Sequence, residues 1–348
     1  MMIPFVISRS RSATDARPRP AARAVLVVAV AAVQSLAAAV LAGDAWPTYR
    51  FDAARSGWSD AALPESPVLR WRWQSPLPPQ PAWPAPADGN LLQNLRKLNR
   101  WDTSDHAFHV AIAGGKVLFG STVDDSVHCL ALQDGREVWR HETGGPVRMP
   151  PTIHSADVRG PDEACKGGAV FAASDDGFLR CLALDDGREV WRYRPGPEDR
   201  HLPGNGRLIS RWPIRGGPIV QDGNLIVAAG VFPLEGVFVA ALDPATGTVR
   251  WQRAIDGVAH GPLVATPEKV FVTALRANPT AYEIATGKPV EGAGGTGAVA
   301  LVRDGALITG PAEAGPLHGV DPVVQQALVV RDGFQCVTRG GRLAAASD

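Results

Sequence analysis

The stretch CLALQDGREVWR begins at Cys129 and returns nearly unchanged as CLALDDGREVWR at Cys181. A near-copy in one chain limits the possible folds severely, because each copy must find equivalent surroundings. Trp139 and Trp191 stand 52 residues apart. A weaker copy, AALDPATGTVRWQR, carries Trp251 a further 60 residues on, and AYEIATGKPV keeps Gly287 with Val290 near the tryptophan position. Each copy reads as an apolar strand, an Asp/Gly turn and a second apolar strand. Steps of this size suit one four-stranded propeller blade.

The regions between the copies repeat the same order. FHVAIAGGKVLFGSTVDDSVHCLAL predicts three strands separated by Gly-Gly and Asp-Asp turns, and three further passes follow. TGAVALV and GALITG begin a fifth pass, and QALVVRDGFQCVTRGGRLAA resembles part of a sixth. The chain therefore predicts an all-β propeller of four-stranded antiparallel blades. About five to six blades are visible over residues 107–348, the last one unfinished. The tryptophan strand just past the turn is expected to begin the next blade, so that the motif would join neighbouring blades.

Asp134, Asp186 and Asp243 fall in tight turns, where a carboxylate can accept from nearby backbone N–H groups. Gly135, Gly187 and Gly247 supply the positive φ such turns require. Trp139, Trp191 and Trp251 are placed to cover the blade junctions. Ligand stacking is the rival role, but three equally spaced rings need three equal environments, which favours structure. Cys129 and Cys181 occupy the same repeat position and read as small buried residues. Cys165 and Cys336 complete the set, with no CxxC spacing for zinc or thiol exchange.

Five arginines (Arg9, Arg11, Arg17, Arg19 and Arg23) precede the apolar run Ala24–Ala42. This reads as an export leader over residues 1–42, cleaved after Ala42, with a retained membrane anchor as the alternative. Export would place the protein in the periplasm or cell envelope. Zero formal net charge gives no basis for a nucleic-acid partner. Residues 43–106 form an opening segment with a Trp71/Trp73 strand and a Pro-rich surface connection, SPLPPQPAWPAP.

The pattern Ala-Leu-Asp-x-x-x-Gly-x-x-x-Trp resembles the repeat of the PQQ-like (quinoprotein-like) β-propeller family. It stands here as LALQDGREVW, LALDDGREVW and ALDPATGTVRW, the first two read as one residue shorter at the turn. WPTYRFDAARSGWS is similar to the opening of exported members, particularly the BamB-type bacterial group. The resemblance implies a propeller but no single activity, since the family includes both quinone-dependent dehydrogenases and cofactor-free scaffolds. No catalytic Asp or calcium-ligand set can be carried over residue by residue, and no CxxCH haem site occurs. The expectation is a binding or assembly scaffold without cofactor, engaging a protein in the cell envelope or a small polar ligand. A PQQ- and calcium-dependent oxidoreductase is the alternative.

Function is expected where the repeats diverge. The longest divergence, residues 194–217, gathers Arg200, His201, Arg207, Arg211 and Arg215. It reads either as a presented basic loop for a partner or anion, or as a salt-bridged cover. Asp199, His201 and Ser210 lack a GxSxG elbow and carry no triad. His106 and His109 lack the HExxH helix of a zinc protease, and Asp157, Asp162 and Glu163 read as an exposed loop.

Overall fold

In each repeat, short runs of Val, Ile, Leu, Ala and Phe are stopped by Gly- and Asp-containing turns, and each set of four folds into one antiparallel sheet. The computed structural model describes residues 45–59, 68–82, 105, 107–154, 167–204, 206–273, 279–291, 299–303 and 306–310, and four short strands beyond them. The leader, residues 83–104, His106 and the insert 155–166 with Cys165 lie outside the described residues.

The first sheet is β1 (Val110–Ala113), β2 (Lys116–Gly120), β3 (Ser126–Ala131) and β4 (Glu137–Glu142), hydrogen-bonded in chain order. The second is β5 (Thr152–His154), β6 (Ala169–Ala173), β7 (Leu179–Ala183) and β8 (Glu189–Tyr193). A hairpin, β9 (His201–Gly204) and β10 (Arg207–Ser210), precedes the third sheet. That sheet comprises β11 (Ile219–Gln221), β12 (Asn224–Ala229), β13 (Val237–Leu242) and β14 (Val249–Ile255). The fourth is β15 (Val264–Ala265), β16 (Lys269–Val272), β17 (Thr280–Glu283) and β18 (Pro289–Val290). The fifth is β19 (Val299–Arg303), β20 (Ala306–Gly310), β21 (Leu317–Val320) and β22 (Ala327–Val330). The pair β23 (Gln335–Thr338) and β24 (Arg342–Ala345) follows.

Separate apolar layers fill the gaps between consecutive sheets. Leu118, Cys129 and Trp139 of the first pack with Val170, Leu182 and Leu184 of the second. Phe171 and Cys181 meet Leu225 and Val227 of the third, whose other face packs against Val270 and Tyr282 of the fourth. The middle strands of these sheets are buried on both faces, so they are nearly continuously apolar, whereas the fourth strands β4, β8 and β14 are polar and largely solvated. The first strands of successive sheets, β1, β5, β11, β15 and β19, touch one another and form the inner edge of the array.

The repeated motif joins strands three and four of one sheet, not one blade to the next: β3 pairs with β4, β7 with β8 and β13 with β14. A tight turn can only fold the chain back onto its neighbour, whereas a step between blades needs the longer connection that follows β4 or β8. The turns are also of equal length. Gly135 donates to the Ala131 carbonyl, Gly187 to Ala183, Gly247 to Asp243 and Gly287 to Glu283, each four residues back. The aspartate moves instead: it stands one residue before Gly135 and Gly187 but four before Gly247.

The opening segment threads along the inner edge. Trp46 exchanges two 2.7 Å backbone bonds with Ile112 of β1, and the Pro47 carbonyl accepts from Ile153 of β5 at 2.7 Å. The Ala53 and Ala54 carbonyls accept from Ala265 of β15 and Val302 of β19, both at 2.7 Å. Arg50, Phe51 and Arg55 are held at φ 53°, 80° and 56°. A non-glycine residue there costs roughly 1–3 kcal/mol, so these turns persist only because the surroundings dictate them.

Candidate binding face

Two kinds of site emerge, one at each end of the sheets. Connections of the β1–β2 and β3–β4 type leave from one end; β2–β3 connections and the crossings between sheets leave from the other. The first end carries the repeated turns.

At those turns the tryptophans bridge consecutive sheets. The Trp139 indole N–H donates to the Leu184 carbonyl at 2.9 Å, and its ring lies where a Cβ on Gly187 would come within 2.5 Å. Trp191 donates to Ala245 at 3.2 Å over Gly247, and Trp251 to Ile284 at 2.7 Å over Gly287. These glycines are thus required twice, for φ near 70° and for the ring above them. Asp134 and Asp186 each accept from the backbone N–H two residues on at 3.0 Å, and Asp243 accepts from Ala245 at 2.9 Å. A register shift between Cys129 and Leu130, repeated at Cys181/Leu182 and Ala241/Leu242, sets a small residue directly opposite each tryptophan. Cys129 and Cys181 are fully buried, and burial pushes the Cys129 thiol up to about 12, which makes it inert.

A fourth ring escaped the sequence reading. Trp71 donates to the Leu132 carbonyl at 2.9 Å and covers Gly135, the turn of the first sheet. The signal was present: Leu69-Arg70-Trp71 matches Val249-Arg250-Trp251. It was hidden because no Asp/Gly turn precedes it. Trp73 beside it packs on Phe108, Phe119 and His128.

The opposite end carries the divergent insert. Residues 194–217 are not an irregular loop but contain the β9–β10 hairpin, with Ser210 paired to His201 and Leu208 to Pro203. Three of the five basic candidates turn out to be internally engaged. Arg207 binds Asp125 and, at 2.6 Å, the Gln80 side chain; Arg211 pairs with Glu235 and lies over Trp212. Arg215 does not face solvent at all. It is 3% exposed and meets both oxygens of Asp175 at 3.0 Å. Only Arg200 and His201 project outward, paired loosely with Glu198 and Asp199 at 3.6 and 3.7 Å.

Beneath the hairpin lies a buried ionic cluster that the sequence did not disclose. Arg148 contacts Asp175 at 2.7 Å and Asp105 at 2.7 Å, and Arg215 reaches Asp175 from the other side. Burial opposes the Asp175 charge, yet Arg215 and Arg148 together hold its carboxyl below the usual carboxylate range. Asp176 behaves likewise: burial works against it, and the charge and hydrogen bonds of Arg180, with those of Ser174 and the Phe178 N–H, together more than compensate. Asp124–Asp125 and Asp175–Asp176 occupy the same β2–β3 connection in successive sheets, a doubling visible in the sequence but read only as a turn. Leu208 and Leu234 stand 65% and 100% exposed on this end. They sit on elements linked by the Arg211–Glu235 pair and by the Trp212 indole, which donates to the Glu235 carbonyl at 2.7 Å.

The family model described as Outer membrane protein assembly factor BamB matches residues 72–211 and 175–290. The chain belongs to this PQQ-like repeat β-propeller family. Among individual relatives, the BamB of Xanthomonas campestris pv. campestris is 34% identical over 92 residues, 26% of this chain and 20% of its own length. The Salmonella typhimurium BamB is 31% identical over 90 residues, again 26% and 20%. The match thus spans about a fifth of these curated relatives. The solved quinohemoprotein alcohol dehydrogenase from Comamonas testosteroni superposes with TM-score 0.53 at 14% identity, over 84% of this chain and 50% of that one. That likeness shows the β-propeller fold shared within the family, and the fold alone.

Proposed function

We propose that the chain is a non-catalytic scaffold of the cell envelope that docks a protein partner on the end carrying β9–β10. The observation that carries this reading is the pair of exposed leucines, Leu208 and Leu234, on a platform whose own arginines are already neutralised. Apolar groups on a rigid base with a polar rim, here Arg200 and His201, form the usual centre of a protein interface. The relatives named as outer membrane protein assembly factors make a component of outer membrane assembly a reasonable class of partner. The basic, apolar leader supports export to that compartment.

A cofactor-free reading is favoured by the chemistry of the residues. Calcium seeks six to eight oxygen ligands, largely carboxylates and carbonyls. Among the described residues, no three His, Cys, Asp or Glu side chains converge as a metal site. The buried carboxylates Asp105, Asp175 and Asp176 are spent on arginines. These engagements support the cofactor-free reading, and no redox step is derived through a PQQ–calcium centre.

A photo-crosslinking residue at Leu208 or Leu234 in envelopes should trap one defined outer membrane assembly component, while the same probe at Arg136, on the motif end, should trap none. Equal adducts from both ends would remove the docking reading. Stoichiometric PQQ uptake with calcium and dye-linked alcohol oxidation would replace it with the oxidoreductase.

A further inference from the structure

The opening segment has the contacts of a bound ligand rather than of a connecting loop. Within twelve residues it hydrogen-bonds to β1, β5, β15 and β19, and Arg55 joins it to the residues that lead into β11 and β15. Arg55 is 0% exposed. Its Nε donates to the Leu263 carbonyl at 2.9 Å, and Nη1 donates to the Thr48 hydroxyl at 2.8 Å and the Tyr49 carbonyl at 2.7 Å. Thr48 in turn meets Thr152 at 2.8 Å, and Thr152 donates to the Pro218 carbonyl at 2.7 Å. Asp52, the nearest carboxylate in the segment, is turned to Ser56, which donates to it from Oγ at 2.7 Å and from its backbone N–H at 2.9 Å. A fully buried guanidinium is thus shared between acceptors of its own segment and the Leu263 and Pro218 carbonyls that lead into β15 and β11, so it fastens the folded segment to the inner edge.

We propose that the inner ends of the five sheets form a peptide-binding groove, and that its ligand is the chain's own segment 45–57. The groove is specific for a folded-back peptide with Pro and Thr at its leading end and an Arg seven residues after the Thr. Pro47, Ala53 and Ala54 offer carbonyls to inner-strand N–H groups, so the backbone is read as well as the side chains. Three left-handed non-glycine residues, Arg50, Phe51 and Arg55, fold the segment back so that Arg55 returns to Thr48. The groove links all five sheets through one stretch of chain, which makes the segment the tie of the inner edge. The proposal stands independently of the partner reading, because it concerns the inner ends and not the β9–β10 platform.

A site-specific protease sequence inserted within residues 60–67 of the full chain would allow the segment to be cut free after folding. The cut fragment should remain bound through size exclusion in native buffer. A fluorescent synthetic peptide of residues 45–59 should exchange into the cut protein. Its Arg55→Ala version should compete at least 100-fold more weakly, and its Trp58→Ala version should compete equally, since Trp58 is 65% exposed. Using variant peptides on wild-type protein separates loss of binding from failure to fold. Prompt release of the wild-type fragment with unchanged circular dichroism would overturn the proposal. Equal competition by the Arg55→Ala peptide would overturn the anchoring role.

Discussion

The two ends of the sheets solve the problem of joining blades in opposite ways. At the motif end, each junction is one aromatic ring over one glycine with one indole hydrogen bond, and the same solution recurs from Trp71 to Trp251. At the other end, sheets and hairpin are joined by a buried ionic cluster, in which Asp175 serves two arginines, together with the Arg207–Asp125 and Arg211–Glu235 pairs. Apolar junctions are local and independent of one another. A charge cluster is shared, so each member depends on all the others. The repeated end can therefore tolerate loss of one unit, while the divergent end stands or fails together.

Removing the Trp139 ring tests the first half most severely. It is the most buried of the junction tryptophans, and Trp139→Ala should cost about 3–5 kcal/mol in chemical denaturation. Combined with Trp251→Ala the losses should add within roughly 0.5 kcal/mol, since the two junctions share no partner. A strongly non-additive pair would break the comparison.

Asp175→Asn tests the second half and should cost about 3 kcal/mol at neutral pH, because Arg148 and Arg215 lose their shared counter-charge. Its folded pKa is depressed, so the wild-type advantage is present above the unfolded value of about 3.9. That advantage is lost as pH falls through the lower folded value. Denaturation midpoints measured from pH 7 downwards should converge for wild type and variant at the acid end. In a double-mutant cycle, Asp175→Asn with Arg215→Met should show coupling of about 1–3 kcal/mol, unlike the tryptophan pair.

Trp71→Ala should cost roughly 2–3 kcal/mol, less than Trp139→Ala because its ring is only half-buried. An effect below about 0.5 kcal/mol would remove Trp71 from the junction series. Arg207→Ala should cost no more than about 1 kcal/mol, since Arg207 and Asp125 are both partly solvated. The smallest stability effect, within about 0.5 kcal/mol, is expected for Leu208→Asp, and this variant should lose partner crosslinking while melting like the wild type.

The sequence disclosed the repeat, the four-strand unit and the positions of three junction rings, because these depend on local patterns that recur. It misplaced the motif within the sheet because strand order is not written in a turn. It left Arg207, Arg211 and Arg215 open between a group presented to a partner and a salt-bridged cover, and Asp125, Glu235 and Asp175 each take one, as a cover requires. Those acids lie between 24 and 82 residues away in the chain, and nothing local links them to the insert.

By itself, then, the sequence determined the blades, since apolar runs and glycine turns act over a few residues and need only their neighbours. Tertiary structure alone decided which charges are spent, which leucines are left outside and where residues 45–57 lie. Those outcomes depend on desolvation and on partners brought together by the stacking of separate sheets, and a guanidinium in water and one sealed under a hairpin are spelled with the same letter.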